Sequence, residues 1–285
     1  MGVVDIGLRG NSTIVTEAIS SPGSGSNEDR TGASGQLSWV IDGATPLEGT
    51  HRARVQTMRL VDRIDEGLQE AGTSNGAALD DALGLLRRIA SDTSTTRRRG
   101  AILPTAAVGI VEVHDDRLDY FLLGDVTVAV DTGGSVFAAS DHRVGRFDAV
   151  SIAAIASAQA RGMTLEEARA SALPVLRSNR LRGNSAGAYW IVAPGSPEAV
   201  DHGIRASVPL SRAFTLLVAS DGFARLVDLF RSPTDWSELL HSARERSLEE
   251  LVAELRQLER MDSECLQFPR LSVSDDASAV LVQRT

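Results

Sequence analysis

The sequence predicts an α+β fold of antiparallel sheets covered by helices. Two observations point there. Short β-branched runs, broken by Gly, Pro and Asp turns, come in groups. Long segments with apolar residues at helical spacing come in separate groups. There is no internal repeat, and 285 residues suit one large domain, so we expect a single unit over 1–285.

The elements follow in order. STIVTEAIS (residues 12–20) is rich in β-branched residues and reads as a strand, which SSPGSGS then breaks. QLSWVI (36–41) is a second strand stopping on Asp42-Gly43. Val55, Met58, Leu60, Val61, Ile64 and Leu68 then recur at helical spacing, and Gly72 ends the run. A second helix is expected over about 77–98. The basic run TTRRRG (95–100) suits its C-terminal end. From Pro104 onward four apolar runs are punctuated by Asp115-Asp116 and Gly133-Gly134, which predicts an antiparallel meander. Residues 146–212 differ in texture, with one helix over 164–178 and a polar stretch after it. They read as an insertion, or flap, lying over the sheet. FTLLVAS (214–220) is a buried strand running into a helix, SLEELVAELRQLERM (247–261) an amphipathic helix, and DDASAVLVQRT closes the chain as a strand.

Composition narrows the function. A net charge of −9 repels nucleic acid and anionic membrane, so neither is expected as a partner. No apolar run approaches the ~20 residues of a membrane span. The N-terminus lacks a charged segment followed by an apolar one, so a cytoplasmic location is expected. The single cysteine, Cys265, rules out an internal disulfide framework and reads as an ordinary thiol in a loop. The oligomeric state is left open.

The acids carry the chemistry. Apolar runs end in Asp42, Asp125 and Asp221, while Asp275 and Asp276 precede the last strand. Glu28 and Asp29 form a fifth group. Three of these aspartates adjoin glycine, where backbone can approach an ion closely. Converging carboxylates repel one another at neutral pH, and hard cations with all-oxygen ligands relieve this. Five scattered histidines show no zinc spacing. Each Asp-Gly taken singly is an ordinary turn; the ordered set is what informs.

In that order the motifs resemble the metal-dependent protein phosphatases of type 2C. The matching stretches are NEDR (27–30), VIDG (40–43), LLGDVTVAV (122–130), AASDH (138–142), LLVASDGFARLVD (216–228) and SDDASAVLV (274–282). The resemblance implies a four-layer α-β-β-α sandwich, two antiparallel sheets flanked by helix pairs, with two Mn²⁺ or Mg²⁺ ions at one end. It implies that Asp42 bridges both ions and is the catalytic centre with its metal-bound water, and that the Gly43 carbonyl helps bind one ion. Asp221 and Asp275 are implied to hold the first ion, Glu28 and Asp29 to reach the second. Asp125 matches the position serving a third, weaker ion in bacterial members. The implied reaction is hydrolysis of phosphoserine or phosphothreonine in proteins by water activated between the metals.

The substrate half departs from the pattern. Ser24 stands where the family's phosphate-binding basic residue belongs. Ala44 stands where some members carry a histidine, and Val126 replaces the serine of Gly-Asp-Ser. His51 opens the first helix, where a surface role is the commoner one. The flap concentrates Arg177, Arg180 and Arg182 in an otherwise acidic chain. They are the candidates to bind the substrate phosphate, Arg180 first. Two alternatives stay open: a phosphorylated small molecule as substrate, or a pseudophosphatase that binds without turnover.

Overall fold

The computed structural model describes residues 4–7, 13–45, 47, 50–73, 78–92 and 103–285. It has β1 (Val4–Gly7), β2 (Thr13–Ser21), β3 (Arg30–Ser34), β4 (Leu37–Ala44), α1 (His51–Gly72) and α2 (Ala78–Ala90). Then come β5 (Thr105–Val113), β6 (Arg117–Leu123), β7 (Thr127–Asp131), β8 (Val136–Ser140), α3 (Arg143–Ala160) and α4 (Leu165–Leu181). A 3-10 turn at Pro197–His202 leads into β9 (Ile204–Pro209), β10 (Phe214–Ala219), α5 (Asp221–Asp228), α6 (Trp236–Glu245), α7 (Leu248–Met261) and β11 (Ala277–Arg284).

Two antiparallel sheets form, in strand orders β1-β2-β11-β10-β7-β8 and β3-β4-β5-β6-β9. Strand alternation explains the layers. On β4, Leu37, Trp39 and Ile41 pack with Leu60, Ile64 and Leu68 of α1 and Leu79 and Leu86 of α2. Val40 faces the other way, joining Val111, Val128, Leu216, Val218 and Val280 between the sheets. On β10, Leu217 and Ala219 turn outward against Phe223, Leu239, Leu251 and Leu255 of α5, α6 and α7. Strands β5 and β10 are covered on both faces, hence their predominantly apolar, almost continuously buried runs. The order of layers is helices, sheet, sheet, helices, as the motifs implied.

Three expectations need correcting. The four runs after Pro104 do not make one meander. β5 and β6 pair in one sheet and β7 and β8 in the other, so the chain changes sheets at Gly124–Val126. Residues 146–212 hold more than one helix. α3 precedes α4, and β9 pairs along β6, so the last part of the segment extends the sheet instead of lying over it. The second helix ends at Ala90, and the basic run 95–100 lies outside the described residues. α3 and α4 enclose their own small core of Ile155, Ala158, Leu165, Ala168 and Ala172, into which the Cys265 loop packs its buried thiol. Among the described residues no helix is long and apolar enough to cross a membrane.

Candidate active site

Strand register brings the acids together. β3 begins where β4 ends, with Arg30 opposite Ile41. β10 ends where β11 begins, with Ala219 opposite Ala279. The segment before β3 (Glu28, Asp29), the end of β4 (Asp42), the sheet-changing turn (Asp125), the start of α5 (Asp221) and the lead into β11 (Asp275, Asp276) therefore meet at one end of the sandwich. Alternation along β4 puts Asp42 on the Val40 face, toward the seam between the sheets. Glycine permits the crowding: a Cβ on Gly43 would strike the Glu28 carbonyl, and one on Gly222 the Asp276 carbonyl.

These acids surround two adjoining cavities. One, of about 400 Å³, is lined by Glu28, Asp42, Asp125, Asp148, Asp275 and Asp276. The other, of about 530 Å³, is lined by Asp125, Asp148, Asp221, Asp228 and Asp275 together with Arg225. Asp29 lies beneath, 2% exposed, and neither carboxylate oxygen finds a hydrogen-bond partner of normal geometry. Asp276 clips the first loop in place, accepting from Gly23 N (2.8 Å) and Glu28 N (2.7 Å). The Glu28 carboxylate accepts from Thr45 N (3.0 Å) and the Thr45 hydroxyl.

The electrostatics record the crowding. Loss of solvent, then Asp29, Asp221, Asp125 and Asp275, push the Asp42 carboxyl well above the usual carboxylate range. Asp29 rises likewise through burial. Asp125 rises through burial and then Asp221 and Asp148. Asp221 rises through burial and then Asp275. Glu28 is raised by burial against the pull of its Thr45 hydrogen bonds. Asp148, on α3, is pushed up to about 6 by burial and Asp221, with Arg180 pulling it down.

A divalent cation fits this donor set. The donors are carboxylate oxygens, their mutual repulsion disfavours full ionisation without a cation, and the two Asp29 oxygens are buried with no hydrogen bond of normal geometry. The acids stand farther apart than a closed ligand cage. Among the described residues only Glu112, His114 and Asp119 bring one ligand atom each within 4.8 Å of one another. That trio lies on the β5–β6 hairpin and has structural duties: Glu112 accepts from Ala78 N and Leu79 N (both 3.2 Å) at the start of α2, and Asp119 accepts from Arg117 (3.1 Å).

The flap arginines separate. Arg180 lines the first cavity and acts on Asp125 and Asp148. Arg182 lies over the Phe147 ring, 5.0 Å from its centroid, and neither it nor the exposed Arg177 lines that cavity. Two basic residues missed in the sequence, Arg54 on α1 and Arg169 on α4, line it instead. His51 is exposed and does not line it. Tyr189 packs edge-on to Phe147 (5.4 Å) and lines the first cavity with it, whereas Trp190 stacks on His202 (3.6 Å) and serves packing. Asp148 was also missed. Val144, Phe147, Asp148 and Ser151 recur at helical spacing and all line the cavity, a stripe visible in the sequence once α3 is recognised as a helix.

No family model matches the chain, and no curated protein matches it by sequence. Solved structures do. PppA, a regulatory component of type VI secretion in Pseudomonas aeruginosa, superposes with a TM-score of 0.59 at 16% identity, covering 96% of this chain and 100% of that one. The fold is that of the type 2C phosphatases. The catalytic domain of the serine/threonine phosphatase PstP, solved with two manganese ions, gives a TM-score of 0.57 at 14% identity over 96% of this chain and 100% of that one. Stp1 from Staphylococcus aureus gives 0.57 at 15% identity over 95% of this chain and 94% of that one. At these identities the chain is a divergent example of the type 2C fold.

Proposed function

We propose that this chain is a metal-dependent phosphatase acting on phosphoserine and phosphothreonine in proteins. The observation that supports it best is the gathering of Asp29, Asp42, Asp125, Asp221 and Asp275 at one end of a type 2C fold. Asp42 would contact both ions, with Gly43 assisting through its carbonyl. Asp221 and Asp275 would complete the first, Glu28 and Asp29 the second, and Asp125 with Asp148 a third. When bound, such ions lower the pKa of water and draw charge from the phosphoryl oxygens.

The chain's own side chains orient and attract. Thr45 holds the Glu28 carboxylate in place. Arg180, Arg54 and Arg169 line the cavity with positive charge and offset Ser24, where the family's basic residue is absent. Cys265 is buried in the separate α3–α4 core, so it has no part in the chemistry. A second reading, binding without turnover, is favoured by Ser24 and by the spread of the acids.

Turnover of p-nitrophenyl phosphate and of a phosphothreonine peptide, with and without Mn²⁺, tests the proposal. Mn²⁺-dependent hydrolysis is expected, lowered about a hundredfold or more in Asp42→Asn and Asp221→Asn. Hydrolysis of phosphorylated metabolites but not the peptide selects a small-molecule substrate. A folded protein inactive under every condition leaves the binding reading.

A further inference from the structure

Arg225 lies one helical turn beyond Asp221 on α5, so both project from the same face. Its Nη2 donates to Asp275 Oδ2 at 2.6 Å and its Nη1 to Glu259 Oε1 at 3.2 Å. Glu259, on α7, is fully buried, and its other oxygen accepts from Arg256 Nη1 at 2.7 Å. Arg256 Nη2 in turn donates to the Ser21 and Pro22 carbonyls, both at 3.1 Å, at the root of the loop that carries Glu28 and Asp29. Charges alternate along this chain of four residues, from a proposed metal ligand to the opposite helix and back to the first loop.

The network makes the two halves of the site unequal. Both Asp275 oxygens are engaged, Oδ1 by the Asp276 N–H (3.2 Å) and Oδ2 by Arg225. Neither Asp29 oxygen has a hydrogen bond of normal geometry or a salt bridge; only the Ser278 hydroxyl, itself bonded to Ser20, lies near enough to help. The guanidinium cannot shed its proton. Swinging away would break its bond to the buried Glu259 carboxylate and leave that group to Arg256 alone. A dication approaching Asp221 and Asp275 therefore meets a fixed positive charge, whereas one approaching Asp29 meets carboxylate oxygens that no salt bridge engages.

We propose that Arg225 is a resident counter-cation for Asp221 and Asp275, which keeps the acid cluster assembled without metal and makes this half of the site the weaker metal-binding half. The inference rests on the reading of these acids as metal ligands.

Calorimetric titration with Mn²⁺, paired with thermal melting in EDTA, tests it without recourse to activity. The variants are R225M/E259Q, which removes both charges of the buried pair together, and E259Q, which keeps the Arg225 charge but weakens its anchor along with that of Arg256. Wild type is expected to show two classes of Mn²⁺ site. Removing a charge so near the ion should tighten the weaker class about tenfold or more in R225M/E259Q, and less in E259Q. In EDTA the double variant should melt below wild type, since the acids then lack their cation. A weaker class unchanged in both variants overturns the role of Arg225 and leaves the phosphatase reading standing. Failure of wild type to take up Mn²⁺ at all removes both.

Discussion

Asp148 shows how much one side chain's surroundings alter its chemistry. Its carboxyl is raised from 3.8 to about 6, first by burial and then by Asp221. The folded protein therefore holds a proton there that the unfolded chain has released, and stability falls as pH rises between those values. Asp29, Asp42, Asp125 and Asp221 act in the same direction. Urea unfolding of the metal-free protein should show greater stability at about pH 5 than at about pH 7, and Asp148→Asn should flatten that slope. A slope identical in Asp148→Asn would show that this carboxyl is not a contributor. Arg180 answers a different question, since it faces the same acids from α4. Arg180→Ala is expected to raise KM for a phosphorylated substrate about tenfold with a smaller effect on kcat, as loss of a charge-assisted phosphate contact would. Steady-state kinetics in which neither parameter moves would remove Arg180 from the substrate site.

At the scale of elements, α1 is the clearest case of sequence pattern becoming architecture. Its apolar stripe covers β4, Trp39 donates from its indole to Asp65 (2.8 Å), and Thr50 caps the first turn through Ala53 N (3.2 Å). Leu68 is fully buried beneath it. Leu68→Ala should cost about 2–5 kcal/mol by chemical denaturation, because the cavity cannot collapse between a helix and a sheet. An effect within about 0.5 kcal/mol would mean the site repacks freely. α3 is the opposite case. It buries only Ser151, Ile155 and Ala158 along eighteen residues, so its apolar period is thin and escapes a reading by pattern. β9 escapes for a related reason: it is an edge strand whose residues are mostly exposed, and only its pairing with β6 makes it a strand.

On the scale of the whole molecule, a net charge of −9 coincides with a knot of carboxylates at one end of the sandwich. A ligand that binds only the folded state stabilises it by RT ln(1 + [L]/Kd). Mn²⁺ at about a hundred times Kd should therefore add about 2.7 kcal/mol, read as a rise in Tm that EDTA reverses. The rise should grow with pH as the raised carboxyls release their protons. A Tm indifferent to Mn²⁺ and EDTA would contradict the metal assignment.

Most of the strands, the principal amphipathic helices and the acids at strand ends were legible from residue types alone; β1, β3 and β9 were not. Period-2 and period-3.6 patterns are local, and Asp-Gly at the end of an apolar run is a local signal. The partition of strands between two sheets was not legible, because β6 and β7 both read as apolar strands and only packing separates them. The same holds for Arg54 and Arg169, which reach the cavity from helices distant in sequence. It holds most of all for Arg225. Its neighbours in the chain are ordinary helix residues. Its partners, Glu259 on α7 and Asp275 before β11, lie 34 and 50 residues away. Contacts between such remote residues arise when the sheets stack and the helices dock, and no periodicity in the sequence records them.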